Sequence, residues 1–492
     1  MSMTNNYRRL LFVILILVVA LAAILCACSD VNLVKEDPQE DEVDEEYTSD
    51  LENFRIEYVG DEAILREVYN CNSIEYLMIP AQITRIELDD MGRIRMGSNS
   101  FKKIKFEENS KLYFIADKTF EGSKDLTTIE LPDSLEIIGE RAFYNCEELK
   151  NIRIPKNVTS IGEDAFILCT NVSKIQVDED NKTFDSRDNC NAIIDTAKNE
   201  ILLACNSTTI PNSITSIGSE AFFNCKKIRN LEIPSTITQF GDDAFSGMYF
   251  LESVVLPNNL TKISKGMFWG DKALKMINMP TSVTIIEEMA FCGCEALDNL
   301  DLHEGIVEIG ESALSGTGLT NINIPSTITT LSSGVFAGTA IKSITIPETI
   351  TEIKDNAFSY CRFLESVIVP SSIKANKLGD YAFRDCTSLK SVVLPEGFWV
   401  INNWTFMGDA ALTSVVLPST ITVISYGAFG RCTSLEEIQF NGTISQFHSI
   451  QINYSYDEWF AENFPGENYS RVVHCTDGDT IYAPEYKDAN DR

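Results

Sequence analysis

The sequence predicts an α/β-type repeat solenoid, and three observations carry that expectation. A phrase of about 23 residues keeps returning; one copy reads P-D-S-L-E-I-I-G-E-R-A-F-Y-N-C-E-E-L-K-N-I-R-I from Pro132 to Ile154. The next proline is Pro155, and after one interruption they continue at Pro211, Pro234, Pro257, Pro280, Pro325, Pro347, Pro370, Pro395 and Pro418, with His303 in the place of one. An Ala-Phe pair holds a fixed place within the phrase, at Ala142-Phe143, Ala165-Phe166, Ala221-Phe222, Ala244-Phe245, Ala357-Phe358, Ala382-Phe383 and Ala428-Phe429. A fixed period of this length means stacked coils, each burying its apolar face only against its neighbours. Stacked coils offer long faces rather than deep catalytic pockets.

The N-terminus reads as an export signal. Arg8 and Arg9 precede an apolar run from Leu10 to Ala27, the charged and apolar regions such a signal requires. The run ends Leu25-Cys26-Ala27-Cys28. A leucine at −3 and a small residue at −1 resemble the bacterial lipobox, with Cys28 as the lipidated residue. The alternative is an uncleaved anchor, since the run is long enough to span a bilayer. Either reading places the body outside the cytoplasmic membrane. Residues 1–28 are thus assigned to the signal and 29–55 to an acidic, disordered tether, because Glu40-Asp41-Glu42 and Asp44-Glu45-Glu46 repel one another and little there can be buried. The net charge of −32 disfavours nucleic acid as a partner.

Residues 56–440 are assigned to the solenoid. In each unit the proline ends a strand because it cannot donate to a ladder. A T-x-I-like apolar step follows, then Ala-Phe, then a short strand of the form L-x-x-I-x-I. Strand phrases begin at residues 74, 101, 126, 149, 172, 228, 251, 274, 297, 319, 341, 364, 389, 412 and 435. Side chains alternate along a strand, so the L and I positions point inward and two columns point outward. One outward column is small and polar, and includes Ser366, Ser391 and Ser414. The other turns apolar toward the C-terminus, with Ile368, Val393 and Val416. These six residues form the candidate partner-binding face; the alternative is that β-branched residues sit there only because strands favour them.

Cys146, Cys169, Cys225, Cys294, Cys361, Cys386 and Cys432 each fall three residues after the phenylalanine column, and Cys71 keeps the same place relative to Pro80. A periodic cysteine in a solenoid is a small buried hydrophobe. Residues 178–210 interrupt the period. Ala192-Ile193-Ile194 and Ile201-Leu202-Leu203 read as a β-hairpin projecting from the stack. A loop over Thr196–Asn199 would set Cys190 opposite Cys205, and an export compartment permits a disulfide there.

The phrase I-P-x-x-[IVL]-T-x-I-x-x-x-A-F-x-x-C-x-x-L-x-x-I-x-[IVL]-P resembles the leucine-rich repeat of BspA-like bacterial surface proteins. The resemblance implies a leucine-rich repeat stack of about 15 short parallel strands with a β-hairpin insertion and terminal caps. The segment with Gly442-Thr443, Gln446-Phe447, Trp459 and Val473-His474-Cys475-Thr476-Asp477-Gly478 resembles the family's closing cap, assigned to 441–480 ahead of a tail at 481–492. Surface-exposed adhesion is the function implied, with a protein ligand on host matrix or another cell surface and membrane contact only through the N-terminal lipid. No ligand motif carries over residue by residue. The sequence contains no P-loop, H-E-x-x-H, G-x-S-x-G or paired zinc spacing; an enzyme, a cofactor and a metal are not expected. Rival readings are an envelope scaffold protein and a carbohydrate-binding accessory module.

Overall fold

The computed structural model describes residues 51–69, 74–87, 101–373, 376–453 and 471–482, all within the compact unit Thr48–Arg492. The signal segment with Cys28, the tether up to residue 50, Cys71, Trp459 and the tail beyond residue 482 lie outside the described residues. Among the described residues no helix is long and apolar enough to cross a membrane.

The chain enters as an antiparallel hairpin, Phe54–Val59 against Glu62–Val68, so the first strand begins inside the stretch assigned to the tether. The second strand then pairs in parallel with Arg85–Ile86. From there the described coils follow one plan with three sides. The first side carries the expected L-x-x-I-x-I strands, for example Asn151–Ile154 and Lys174–Val177, paired in parallel with Ile152 level with Ile175. Thirteen of the fifteen phrases are strands. The phrases starting at 297 and 319 are not hydrogen-bonded as strands, yet Leu300, Leu302 and Ile324 remain buried in line with the others.

The second side was hidden in the T-x-I step. It is a ribbon of two-residue strands such as Phe114–Ile115, Ile137–Ile138 and Ser160–Ile161, again in parallel register. Each strand is too short to show an alternating pattern by itself. Beside it Gly139 brings two coils into close approach: a Cβ there would sit 2.5 Å from Asp117 N.

The third side is the Ala-Phe corner. The phenylalanines stack coil upon coil, with Phe120–Phe143 at 5.1 Å, Phe143–Phe166 at 5.0 Å, Phe358–Phe383 at 5.2 Å and Phe383–Phe406 at 5.6 Å between centroids. Each fully buried ring contributes roughly 1.5–3 kcal/mol over leaving it exposed. Leu314 takes the place of one ring. The residues two before and two after the phenylalanine hold left-handed φ, as at Arg141 (52°) and Asn145 (60°), or Met289 (55°) and Gly293 (78°). Only this alternation turns successive odd N–H groups the same way. Arg141, Phe143 and Asn145 therefore donate to Glu163, Ala165 and Ile167 of the next coil at 2.9, 2.7 and 2.8 Å.

The cysteine column packs inside this corner, as expected of a periodic core position. Where the coil before carries a phenylalanine corner, the thiol donates to that phenylalanine's carbonyl: Cys146 to Phe120 (3.3 Å), Cys294 to Phe268 (3.1 Å), Cys386 to Phe358 (3.2 Å), Cys432 to Phe406 (3.1 Å). Ser123, Met248, Thr317 and Thr339 share the column, and so do two aspartates, Asp271 and Asp409.

The insertion is the expected hairpin, Ala192–Asp195 antiparallel to Glu200–Ala204. It does not project. Glu200–Ala204 pairs in parallel with Ser216–Ile217, so the hairpin is spliced into the second ribbon. The expected Cys190–Cys205 bridge is corrected: both are buried free thiols. Ala192 faces Ala204, which sets Asn191 level with Cys205, and the Cys205 thiol accordingly reaches Asn191 O at 3.5 Å. Cys190 packs into the core on the C-terminal side of the insertion and Cys205 into that on the N-terminal side. Cys205, Thr208 and Ile210 then take the L, I and I places of a further coil that spacing alone did not reveal.

At the C-terminus Glu437–Phe440 pairs with Arg471–Cys475, which pairs antiparallel with Gly478–Tyr482. The five-residue helix Ile444–His448, capped reciprocally by Thr443 and Gln446, sets Phe447 edge-on to Phe440 at 5.5 Å. The added hairpin covers the edge of the last repeat strand, which an open stack would expose. Helix is scarce among the described residues, so the α/β-type solenoid is in substance a β-solenoid.

Candidate functional site: the first-side strand face

The six residues singled out by spacing come together on one sheet face. Ser343, Ser366, Ser391, Ser414 and Glu437 form one row in register, and Thr345, Ile368, Val393, Val416 and Gln439 form the next. Neighbouring strands lie about 4.8 Å apart. Ile344, Val367, Val392, Val415 and Ile438 point inward from the same strands and are buried, which fixes the outward side of each strand. Ile368 is 73% exposed and Val393 47%. Ser366 and Ser414 are exposed, whereas Ser391 and Val416 are half-buried.

The strip is neutral on a chain of net charge −32. From Ser343 to Val416 none of the eight outward residues in the two rows is charged. Along one margin run Lys342, Glu365 and Lys390, the last two paired at 2.7 Å, with Phe363 exposed beside them. The N-terminal part of the same face is different. There Lys105 pairs with Glu130 at 3.4 Å, and Arg153 bridges Asp133 and Asp178 at 3.4 and 2.7 Å. A neutral strip with an apolar row loses little on desolvation, while exposed ion pairs at its border contribute little either way. Chemically this is the make-up of a contact surface with a polar rim.

The histidines serve structure. His303, which replaces a repeat proline, bonds Pro280 O at 3.0 Å and accepts the Gly305 N–H on Nδ1 at 3.0 Å. His448 meets Thr480 Oγ1 at 2.9 Å. His474 sits 2.9 Å from Asp479, whose hydrogen bond raises the imidazole above its ordinary range. No group of three metal-ligating side chains occurs among the described residues. Asn181, in the Asp178–Asn181 stretch that reads as a hairpin base, is buried and bonds Pro155 O, Val158 O and the N–H groups of Thr183 and Phe184. Spacing missed Asp271 and Asp409, although their place in the cysteine column was visible in the period.

The repeat is also found by comparison with known families. The BspA type leucine rich repeat region, in six copies, matches residues 95–198, 193–284, 268–377 and 364–456. Similar solved structures include a leucine-rich repeat protein from Bacteroides ovatus (26% identity, 82% of this chain, 98% of that chain, TM-score 0.49). A leucine rich cell surface protein from Faecalibacterium prausnitzii is 23% identical over 82% of this chain and 97% of its own, with a TM-score of 0.38. The pneumococcal vaccine antigen PcpA is 18% identical over 82% and 96%, with a TM-score of 0.38. A search of curated proteins gives no match. The repeat match spans most of the chain, from residue 95 to 456, and the chain belongs to the BspA-type leucine-rich repeat family.

Proposed function

We propose that this chain is a lipid-anchored cell-surface protein of a bacterium that binds a protein ligand on host matrix or another cell surface through the neutral strip. The observation that supports it is the pair of registered rows centred on Ser366, Ile368, Ser391, Val393, Ser414 and Val416, uncharged on a strongly acidic chain. Ile368 and Val393 supply the apolar centre, the serines supply short hydrogen-bonding groups, and Glu365 and Lys390 supply a charged border. Acyl chains on Cys28 would hold the protein at the membrane, since each buried CH₂ contributes about 0.8 kcal/mol. Many copies on one cell would add avidity without new contacts.

The test is capture from extracellular-matrix and bacterial surface extracts. The wild-type chain should retain a protein that the I368D/V393D/V416D variant does not, with both chains equally stable to urea. Equal capture by both would reject this face. Binding to a glycan array in place of protein capture would favour a carbohydrate-binding module. Separately, C28A should release the protein from membranes; retention would support the uncleaved anchor.

A further inference from the structure

The insertion leaves a recess on the corner side of the solenoid. Ten residues separate Ile138 from Leu149 in an ordinary coil; only three separate Ile201 from Cys205, the equivalent positions here. Ala204 N donates to Ala221 O at 2.7 Å, the bond a phenylalanine makes elsewhere, so one residue replaces a whole corner. The flanking corners, around Phe166 and Phe222, are complete. Between them lies a small, open recess walled by Phe166, Leu168, Ala204, Asn206, Phe223 and Cys225.

The recess interrupts a ladder that is otherwise regular. In every other described corner followed by a full coil, three N–H groups donate forward. Asp164 and Leu168 keep the same left-handed backbone (φ 56° and 65°). The N–H groups of Asp164, Phe166 and Leu168 therefore point toward the missing corner, and among the described residues none has an acceptor. On the opposite wall Phe223 O, which by position faces back, has no donor. Leu168 is notable because glycine, asparagine or aspartate holds most equivalent positions, and left-handed φ is costly for a bulky side chain.

Beside the Asp164 end of the gap the charge is negative. Glu163 and Asp164 before it and Glu220 after it lie near enough to act on one another and have no cationic partner among the described residues, while Lys227, held by Asn206, stands at the other end. They sense one another across the gap: burial first, then Asp164, Asp243 and Glu163, raises the Glu220 carboxyl. Anionic ligands are repelled there.

We propose that this recess docks an extended peptide carrying a basic side chain. Main-chain carbonyls of the peptide accept the N–H groups of Asp164, Phe166 and Leu168, and a peptide N–H meets Phe223 O. A small apolar side chain packs between Phe166 and Phe223, and a lysine or arginine pairs with Glu163, Asp164 and Glu220. The peptide supplies the corner that the insertion coil omits, a form of main-chain complementation. The site is separate from the strand face.

The experiment uses the full-length chain and a fluorescein-labelled, end-blocked Ala-Val-Arg-Val-Ala peptide, with a counterpart bearing Glu in place of Arg. Fluorescence polarisation should show the Arg peptide binding at least tenfold more tightly than the Glu peptide. E163Q/E220Q should weaken it at least tenfold, T170W at the wall should abolish it, and I368D/V393D should leave it unchanged. Hydrogen–deuterium exchange should find the amides of Asp164, Phe166 and Leu168 exchanging faster in the free chain than those of Ala165 and Ile167, which are bonded to Gly162 O and Asp164 O, and slowed by the Arg peptide. Equal binding of the two peptides, no binding of either, or exchange of the Asp164, Phe166 and Leu168 amides as slow as that of their bonded neighbours in the free chain would overturn the proposal.

Discussion

Asp271 and Asp409 place two carboxyl groups in a column otherwise built from thiols, hydroxyls and a thioether. Both are fully buried. One oxygen of each accepts a backbone N–H from the coil before, from Met248 and Cys386 respectively, at 2.8 Å. The other oxygen is buried with no partner. Burial pushes both carboxyls well above the usual carboxylate range. Near pH 3 the folded and unfolded chains both hold these protons, and the sites are neutral to stability. As pH rises through the ordinary carboxylate range, the unfolded chain releases them and the folded chain retains them. The folded state then binds more protons, so stability falls with pH until the raised folded values are passed.

Asparagine keeps the oxygen that accepts the amide and places an NH₂ donor where the orphan oxygen sits, the site from which column thiols reach the preceding phenylalanine carbonyl. Relieving one such buried group is worth about 1–3 kcal/mol. The two sites are six coils apart, roughly 29 Å at strand spacing, so their effects should add. D271N/D409N should therefore gain about 2–6 kcal/mol over wild type at pH 8 and little at pH 4. Urea unfolding followed by circular dichroism across pH 4–8 reads this out. A pH slope unchanged by the double substitution, or a variant weaker than wild type at pH 8, would refute the argument.

Two further outcomes follow from the packing. Phe358, fully buried between Phe336 at 5.4 Å and Phe383 at 5.2 Å, should cost about 3–5 kcal/mol as F358A; F358L, copying the natural Leu314, should cost less than about 1.5 kcal/mol, both by urea unfolding. Asn206 ties the insertion to both neighbours, donating to Thr170 O at 2.8 Å and accepting from Lys227 N at 3.0 Å. N206A should lose about 1–3 kcal/mol locally and speed limited proteolysis within 178–230 about tenfold, without new cleavage elsewhere.

The sequence made the stack legible because its core positions tolerate few residue types. Phenylalanine, leucine and isoleucine recur where a ring or branched chain must meet its copy in the next coil, and the outward Ser and Val columns follow from alternation. What stayed hidden depends on backbone rather than residue type. The left-handed position two before the phenylalanine holds Arg141, Met289 and Trp404 as well as glycine, because the ladder imposes that conformation there, while the one two after it is mostly glycine, asparagine or aspartate. The Cys190–Cys205 pairing failed on register: the hairpin ladder shifts between Ile193 and Ile194, and the two thiols end on opposite sides of the insertion. The coil through Cys205 and Thr208 escaped notice because small polar residues occupy its leucine and isoleucine places. The strand face was readable as a set of positions, but its neutrality only gained meaning once the registered rows and their charged margin were seen side by side.

Because the ladders of an ordinary coil reach only the coil before and the coil after, such coils are nearly interchangeable parts. A recombination event that removes or duplicates one whole period would reseal between phenylalanines and between thiols, leaving both caps untouched. A break at any other length would bring polar loops against rings. Gene copies of this kind can therefore gain or lose recognition surface in steps of one strand, a route by which related strains could present faces of different extent to the same surroundings.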